Sequence, residues 1–149
     1  KGEIKAKNSE DLVARYHHPE PRNAIANLLR ENATSAMDIS DGFVGDLQKL
    51  CAVSGVSADV ELEKIPYSGA AAALIAKDES LRETMLTGGD DYEILFTIPH
   101  AKWKSFAADA AKLKIPVTEV GVITKGKSGP QFTYEKEPRT FWRGSYQHF

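Results

Sequence analysis

One cysteine, Cys51, stands in the whole chain, so no internal disulfide and no cysteine-cluster metal site can form. The four histidines make no ligand set. His17 and His18 are adjacent and point apart in an extended segment, His100 stands where a helix opens, and His148 is next to the last residue. No Gly-x-Ser-x-Gly elbow is present to mark a hydrolase serine. No apolar run approaches the roughly 18 residues of a membrane helix. Charge of one sign is also lacking. A net charge of −2 gives no electrostatic reason to expect nucleic acid or an anionic membrane. Cys51 falls on the apolar face of a predicted helix and reads as core packing. A reducing, cytoplasmic setting fits this cysteine usage.

What remains is ordinary globular material. At 149 residues and 42% hydrophobic, the chain reads as one soluble domain, or a domain plus a short arm. It begins Lys1-Gly2-Glu3, without Met and without a signal-peptide pattern, as a fragment of something longer would.

The hydrophobic periodicity predicts helices over 9–16, 23–31, 42–53, 68–77, 78–86 and 101–113. Between the first two, Pro19 and Pro21 force an extended segment. Strands are predicted at 37–39, 57–63, 92–98, 117–124 and 131–135, the last two joined by a Lys-Gly-rich hairpin turn. Tyr92, Ile94, Phe96 and Ile98 share one face of the third strand. Trp103, Phe106, Ala107 and Ala110 face inward from the last helix. Interleaved helices and strands, with adjacent strands near the end, predict an α/β (α+β) domain. Its sheet is mixed, partly antiparallel and flanked by helices.

The densest chemistry lies in Ala36-Met37-Asp38-Ile39-Ser40-Asp41-Gly42. A short strand ends in acids and turns into a helix that places Phe43, Val44, Leu47, Leu50 and Cys51 on one face. A helix N-terminus offers N–H groups to phosphate, and acids there can hold Mg²⁺. The plainer reading makes Ser40 or Asp41 an N-cap and Asp38 a solvated strand end. Capping leaves Asp38, a poor strand former, without a reason.

A second cluster is Gly88-Gly89-Asp90-Asp91-Tyr92-Glu93. Paired glycines let backbone approach a ligand closely, and the acids can bind a metal or a cationic group. An ordinary acidic turn before a buried strand has the same composition. A third stretch, Gly121-Val122-Ile123-Thr124-Lys125-Gly126-Lys127-Ser128, fits the P-loop pattern letter for letter. A P-loop needs a helix after it, whereas Gly129-Pro130 and a strand-like run follow, so the match reads as coincidence. Phe141, Trp142, Tyr146 and Phe149 either stack on a planar ligand or cover the end of a sheet.

Taken in order, these segments resemble the C-terminal half of the bacterial thiamine-monophosphate kinase family. That family shares a superfamily with aminoimidazole ribonucleotide synthetase, selenophosphate synthetase and a hydrogenase maturation protein. The resemblance runs from Arg15-Tyr16 and Pro19-Glu20-Pro21-Arg22 through Met37-Asp38-Ile39-Ser40-Asp41-Gly42, Ser54-Gly55-Val56-Ser57-Ala58 and Ile65-Pro66-Tyr67-Ser68. It continues through Thr87-Gly88-Gly89-Asp90-Asp91-Tyr92-Glu93 and Val120-Gly121-Val122-Ile123-Thr124, and ends at Gly144, Tyr146 and His148-Phe149.

The resemblance implies phosphorylation of thiamine monophosphate to thiamine diphosphate with ATP and Mg²⁺, by direct in-line transfer. It implies Asp38 and Asp41 as Mg²⁺ ligands, Ser40 as an ATP contact, and Asp90 and Tyr146 as substrate contacts. The family usually has Glu where Asp90 stands, one methylene longer. It further implies a linker and short helix over 1–22, a synthetase-like domain over 23–149, and an N-terminal ATP- and Mg²⁺-binding domain outside this chain. Through that domain the full-length protein would form a homodimer, and without it the chain would be inactive. Another ATP-dependent enzyme of the superfamily, or a non-catalytic ligand-binding domain, is the alternative.

Overall fold

The computed structural model describes residues 9–89 and 91–141. Along the chain run α1 (Ser9–His17), α2 (Ala26–Asn32), β1 (Ser35–Ile39), α3 (Phe43–Ser54), β2 (Ser57–Glu61), α4 (Gly69–Ile75) and α5 (Ser80–Thr87). After them come β3 (Glu93–Thr97), α6 (His100–Lys112), β4 (Gly121–Thr124), β5 (Pro130–Tyr134) and β6 (Glu137–Arg139). The α/β class follows the sequence, but the strands divide over two sheets rather than one. β1 pairs antiparallel with β3, and a four-stranded mixed sheet has the order β4-β2-β5-β6.

The packing explains the division. Phe43, Val44, Leu47 and Cys51 of α3 bury against Ala58 and Val60 of β2, Leu86 of α5 and Phe132 of β5. A second cluster joins Ile25 and Leu29 to Phe106 and Ala110 of α6. The β1–β3 ribbon lies between them: Ile39 and Leu95 pack on the first cluster, Ile94 and Phe96 on the second. Alternation sends successive side chains to opposite faces, so β3 is half-buried at all five positions. Tyr92 does not join its inner face. It precedes the strand at φ 55° and is 45% exposed. Burial pushes the Cys51 thiol pKa up, as core packing requires.

The predicted hairpin between β4 and β5 does not form. β2 lies between the two strands, antiparallel to β4 and parallel to β5. The segment 125–129 instead crosses the start of β2, where the Ser57 and Ser128 hydroxyls are 3.2 Å apart. The P-loop match therefore spans a strand and a crossover, with strand β5 after it. The true hairpin joins β5 to β6, with Tyr134 opposite Glu137. Its two central residues, Glu135 and Lys136, both have positive φ, at 52° and 69°. That is the left-handed pair a two-residue turn demands. Phe141 meets Phe132 edge to face at 5.1 Å, covering the sheet as the plainer aromatic reading expects.

Candidate functional site

Antiparallel pairing of β1 with β3 sets Asp38 opposite Ile94 and Ile39 opposite Glu93. The chain leaving β1 and the chain entering β3 are therefore neighbours, and the two acidic motifs meet although about 50 residues separate them. Contact between them is backbone against backbone. A Cβ added at Gly89 would lie 2.5 Å from the carbonyl oxygen of Ser40, and one at Gly42 would lie 2.5 Å from that of Gly88. Gly42 also holds φ +102°, which disfavours any side chain. Gly42 and Gly89, one from each motif, let these loops touch.

Gly42 is the N-cap residue of α3, and no side chain caps this helix. The capping reading of Ser40 and Asp41 is thereby overturned: both precede the cap position, which close packing reserves for glycine. The acid of the first turn is Asp46, on the buried face and 1% exposed. Its Oδ2 accepts the backbone N–H of Ser40 at 2.9 Å and of Asp41 at 3.0 Å. Its Oδ1 accepts Lys49 Nζ at 2.9 Å. Lys49 Nζ also donates to Asp41 Oδ2. Hydrogen bonding to Asp41, and then to Asp46, raises the Lys49 pKa above its ordinary value. Sequence reasoning missed both residues. The available signal was an acid at position 46 within a run of apolar neighbours, a cost that hydrogen-bonded burial must offset.

Asp38 and Ser40 are exposed, Asp41 half-buried. Asp90 and Tyr146 lie outside the described residues. Asp38 and Asp41 offer hard carboxylate oxygens of the kind Mg²⁺ takes. Among the described residues, however, no three His, Cys, Asp or Glu side chains gather into a metal-holding group. These acids fit part of a Mg²⁺ shell and need further donors to complete one.

The last acid of the second motif is structural. Glu93 accepts Arg22 through both carboxylate oxygens, at 2.7 and 3.0 Å, and Arg15 as well. The hydrogen bond to Glu93 raises the Arg22 pKa. The proline-rich entry segment is thus fastened to the start of β3, beside the meeting loops.

Paired strands carrying two acidic, glycine-cornered loops to one point describe an α/β domain suited to phosphate and cation chemistry. Residues 4–131 match the family of AIR synthase related proteins, C-terminal domain, and the chain belongs to that family. Within it, the chain is similar to thiamine-monophosphate kinases. It is 34% identical to that of Escherichia coli (strain K12) over 145 residues, 97% of this chain and 44% of the relative. It is 36% identical to that of Caulobacter vibrioides over 120 residues, 78% of this chain and 34% of the relative.

Among solved structures, the thiamine-monophosphate kinase of Stenotrophomonas maltophilia K279a superposes with a TM-score of 0.77 at 33% identity, over 89% of this chain and 40% of that one. AaThiL complexed with AMPPCP and TMP gives 0.77 at 28% identity, over 99% and 44%. The Escherichia coli hydrogenase maturation protein HypE, 14% identical with a TM-score of 0.63 over 78% of this chain and 38% of that one, shares the fold. The chain spans less than half the length of the curated relatives it matches. No helix among the described residues is long and apolar enough to cross a membrane.

Proposed function

We propose that this chain supplies the C-terminal half of a thiamine-monophosphate kinase, which makes thiamine diphosphate by direct in-line transfer of the ATP γ-phosphate to the substrate phosphate. One observation carries the reading: the Asp38–Gly42 and Thr87–Gly89 loops meet in backbone contact. Kinase relatives align over both, and AaThiL carries AMPPCP and TMP. Phosphoryl transfer asks a protein chiefly for positioning and charge neutralisation, and no residue need become a covalent nucleophile.

In this reading Ser40 contacts ATP, and Asp38 and Asp41 donate carboxylate oxygens to Mg²⁺. Bound Mg²⁺ supplies charge neutralisation at the phosphates. Asp90 and Tyr146 meet the substrate, whose cationic thiazolium suits an acid and an aromatic face. The remaining Mg²⁺ donors and the dimer contact come from a portion outside this chain, and the setting is cytoplasmic, with neither nucleic acid nor membrane as partner.

The test is formation of thiamine diphosphate from thiamine monophosphate, ATP and Mg²⁺ by the full-length protein. Aminoimidazole precursors serve as competing substrates. Turnover of thiamine monophosphate alone is expected, and it should fall sharply in Asp38→Asn. A rate unchanged by that substitution removes Asp38 from the metal shell. The isolated chain is expected to be inactive, and ATP-dependent product formation by it would overturn the shared-site arrangement.

A further inference from the structure

We infer that Asp46 is the positioning residue of the Ser40–Asp41 loop, with Lys49 as its link to the Asp41 carboxylate. The inference rests on the functional reading above only for its kinetic test. A carboxylate is costly inside an apolar helix face unless its lone pairs are filled. Asp46 has donors on both sides: two consecutive backbone N–H groups meet one oxygen, and the Lys49 ammonium meets the other. Only an ionised Asp answers that demand at this length, since Asn has one acceptor and would turn an NH₂ group toward a donor. A helix needing only a cap would take Ser, Thr, Asn or Asp at the cap position. Here that position is Gly42, packed against Gly88, and the acid sits inside the first turn instead.

Consecutive N–H groups held by one carboxylate oxygen fix two peptide planes, and with them the directions in which Ser40 and Asp41 leave the chain. Lys49 bridges the same carboxylate to Asp41, so the side chain and its own backbone share one anchor. Asp46 is buried and serves entirely through these neighbours, so its effect should fall on nucleotide affinity rather than on substrate affinity.

The test uses the full-length protein with Asp46→Asn, Lys49→Met and the double variant. Hydrogen–deuterium exchange in the ligand-free protein follows the peptide containing Ser40 and Asp41, and steady-state kinetics give KM for ATP and for thiamine monophosphate. Asp46→Asn is expected to speed exchange of the Ser40 and Asp41 amides at least about 10-fold. It should raise KM for ATP roughly 10- to 100-fold, the scale of a lost charge-assisted hydrogen bond. KM for thiamine monophosphate should stay within about twofold, since the residues Asp46 holds, Ser40 and Asp41, are the ones assigned to nucleotide and Mg²⁺.

Lys49→Met removes the second donor, so the single Asn oxygen can serve the amides again. The double variant should therefore return to the level of Lys49→Met alone, a non-additivity that simple loss of packing does not produce. Unchanged exchange, or a fall in kcat at constant ATP KM, overturns the inference. If Asp46→Asn does not accumulate as folded protein, Lys49→Met decides alone: ATP KM should rise several-fold, and an unchanged value overturns the link to Asp41. Absence of thiamine monophosphate phosphorylation by the unaltered protein would refute the functional reading and leave the exchange measurement to judge the anchor.

Discussion

Adding one methyl group at Gly89 should wedge the two acidic loops apart. The new Cβ would fall 2.5 Å from the Ser40 carbonyl oxygen, about 0.9 Å inside the 3.4 Å where ordinary contact begins. The atom in the way is backbone, at the end of a paired strand and before Gly42, so no side-chain rotation relieves it. Gly89 itself does not hold a positive φ, and the cost is therefore overpacking alone, about 1–3 kcal/mol. At roughly 2–4 °C per kcal/mol for a chain of this size, Gly89→Ala should lower Tm by several degrees.

Gly69→Ala provides the control. A Cβ there meets nothing within 4 Å, and the residue opens helix α4, so alanine should leave stability unchanged or raise it by up to about 1 kcal/mol. Chemical denaturation followed by circular dichroism measures both variants. Equal stability of Gly89→Ala and the unaltered chain, within about 0.5 kcal/mol, would mean that the loops do not touch, and the assembly of the candidate site from two motifs would fall with it.

Other consequences can be checked on the same chain. Phe106→Ala should cost about 3–5 kcal/mol in denaturation, because a ring 1% exposed joins β3 to α2. Lys136→Gly should raise stability by up to about 1 kcal/mol, since glycine relieves a left-handed position at φ 69°. Arg22→Lys loses the two-pronged hold on Glu93 and should cost about 0.5–1 kcal/mol, little more because Glu93 is 42% exposed. Cys51 is fully buried and its thiol pKa is raised, so iodoacetamide should label it slowly at pH 8 in the native chain and rapidly in denaturant.

Much of the architecture was legible because burial follows period. The apolar stripe of α3, the inward residues of α6 and the alternation of β2 each matched an element, with boundaries differing by a residue or a few. Sheet partnership was not legible. Nothing local in residues 121–135 says that β2 will insert between two strands that follow one another, and the turn-like Lys125–Gly129 suits a crossover as well as a hairpin. The real hairpin escaped notice because Glu135-Lys136 breaks the residue preference of its turn. At the site, residue types identified both motifs, yet their meeting depends on strand register. Asp46 escaped sequence reasoning, because its role exists only once the loop folds back onto it.

The β1–β3 ribbon also bears on when the site comes into being. Its two strands are separated in the chain by α3, β2, α4 and α5, so pairing Ile39 with Glu93 closes a loop of more than fifty residues. Closing a loop of that length carries an entropic cost before any contact across the ribbon can offset it. The two acidic motifs cannot meet before that loop closes, even though Asp46 anchors the first of them locally. During refolding, protection of the Thr34 amide, which donates to the Thr97 carbonyl across the ribbon, should therefore rise with the slowest native phase, after the helices have formed. The site is a late product of the whole domain, and loosening anything between the two motifs should delay its appearance without touching a single residue in it.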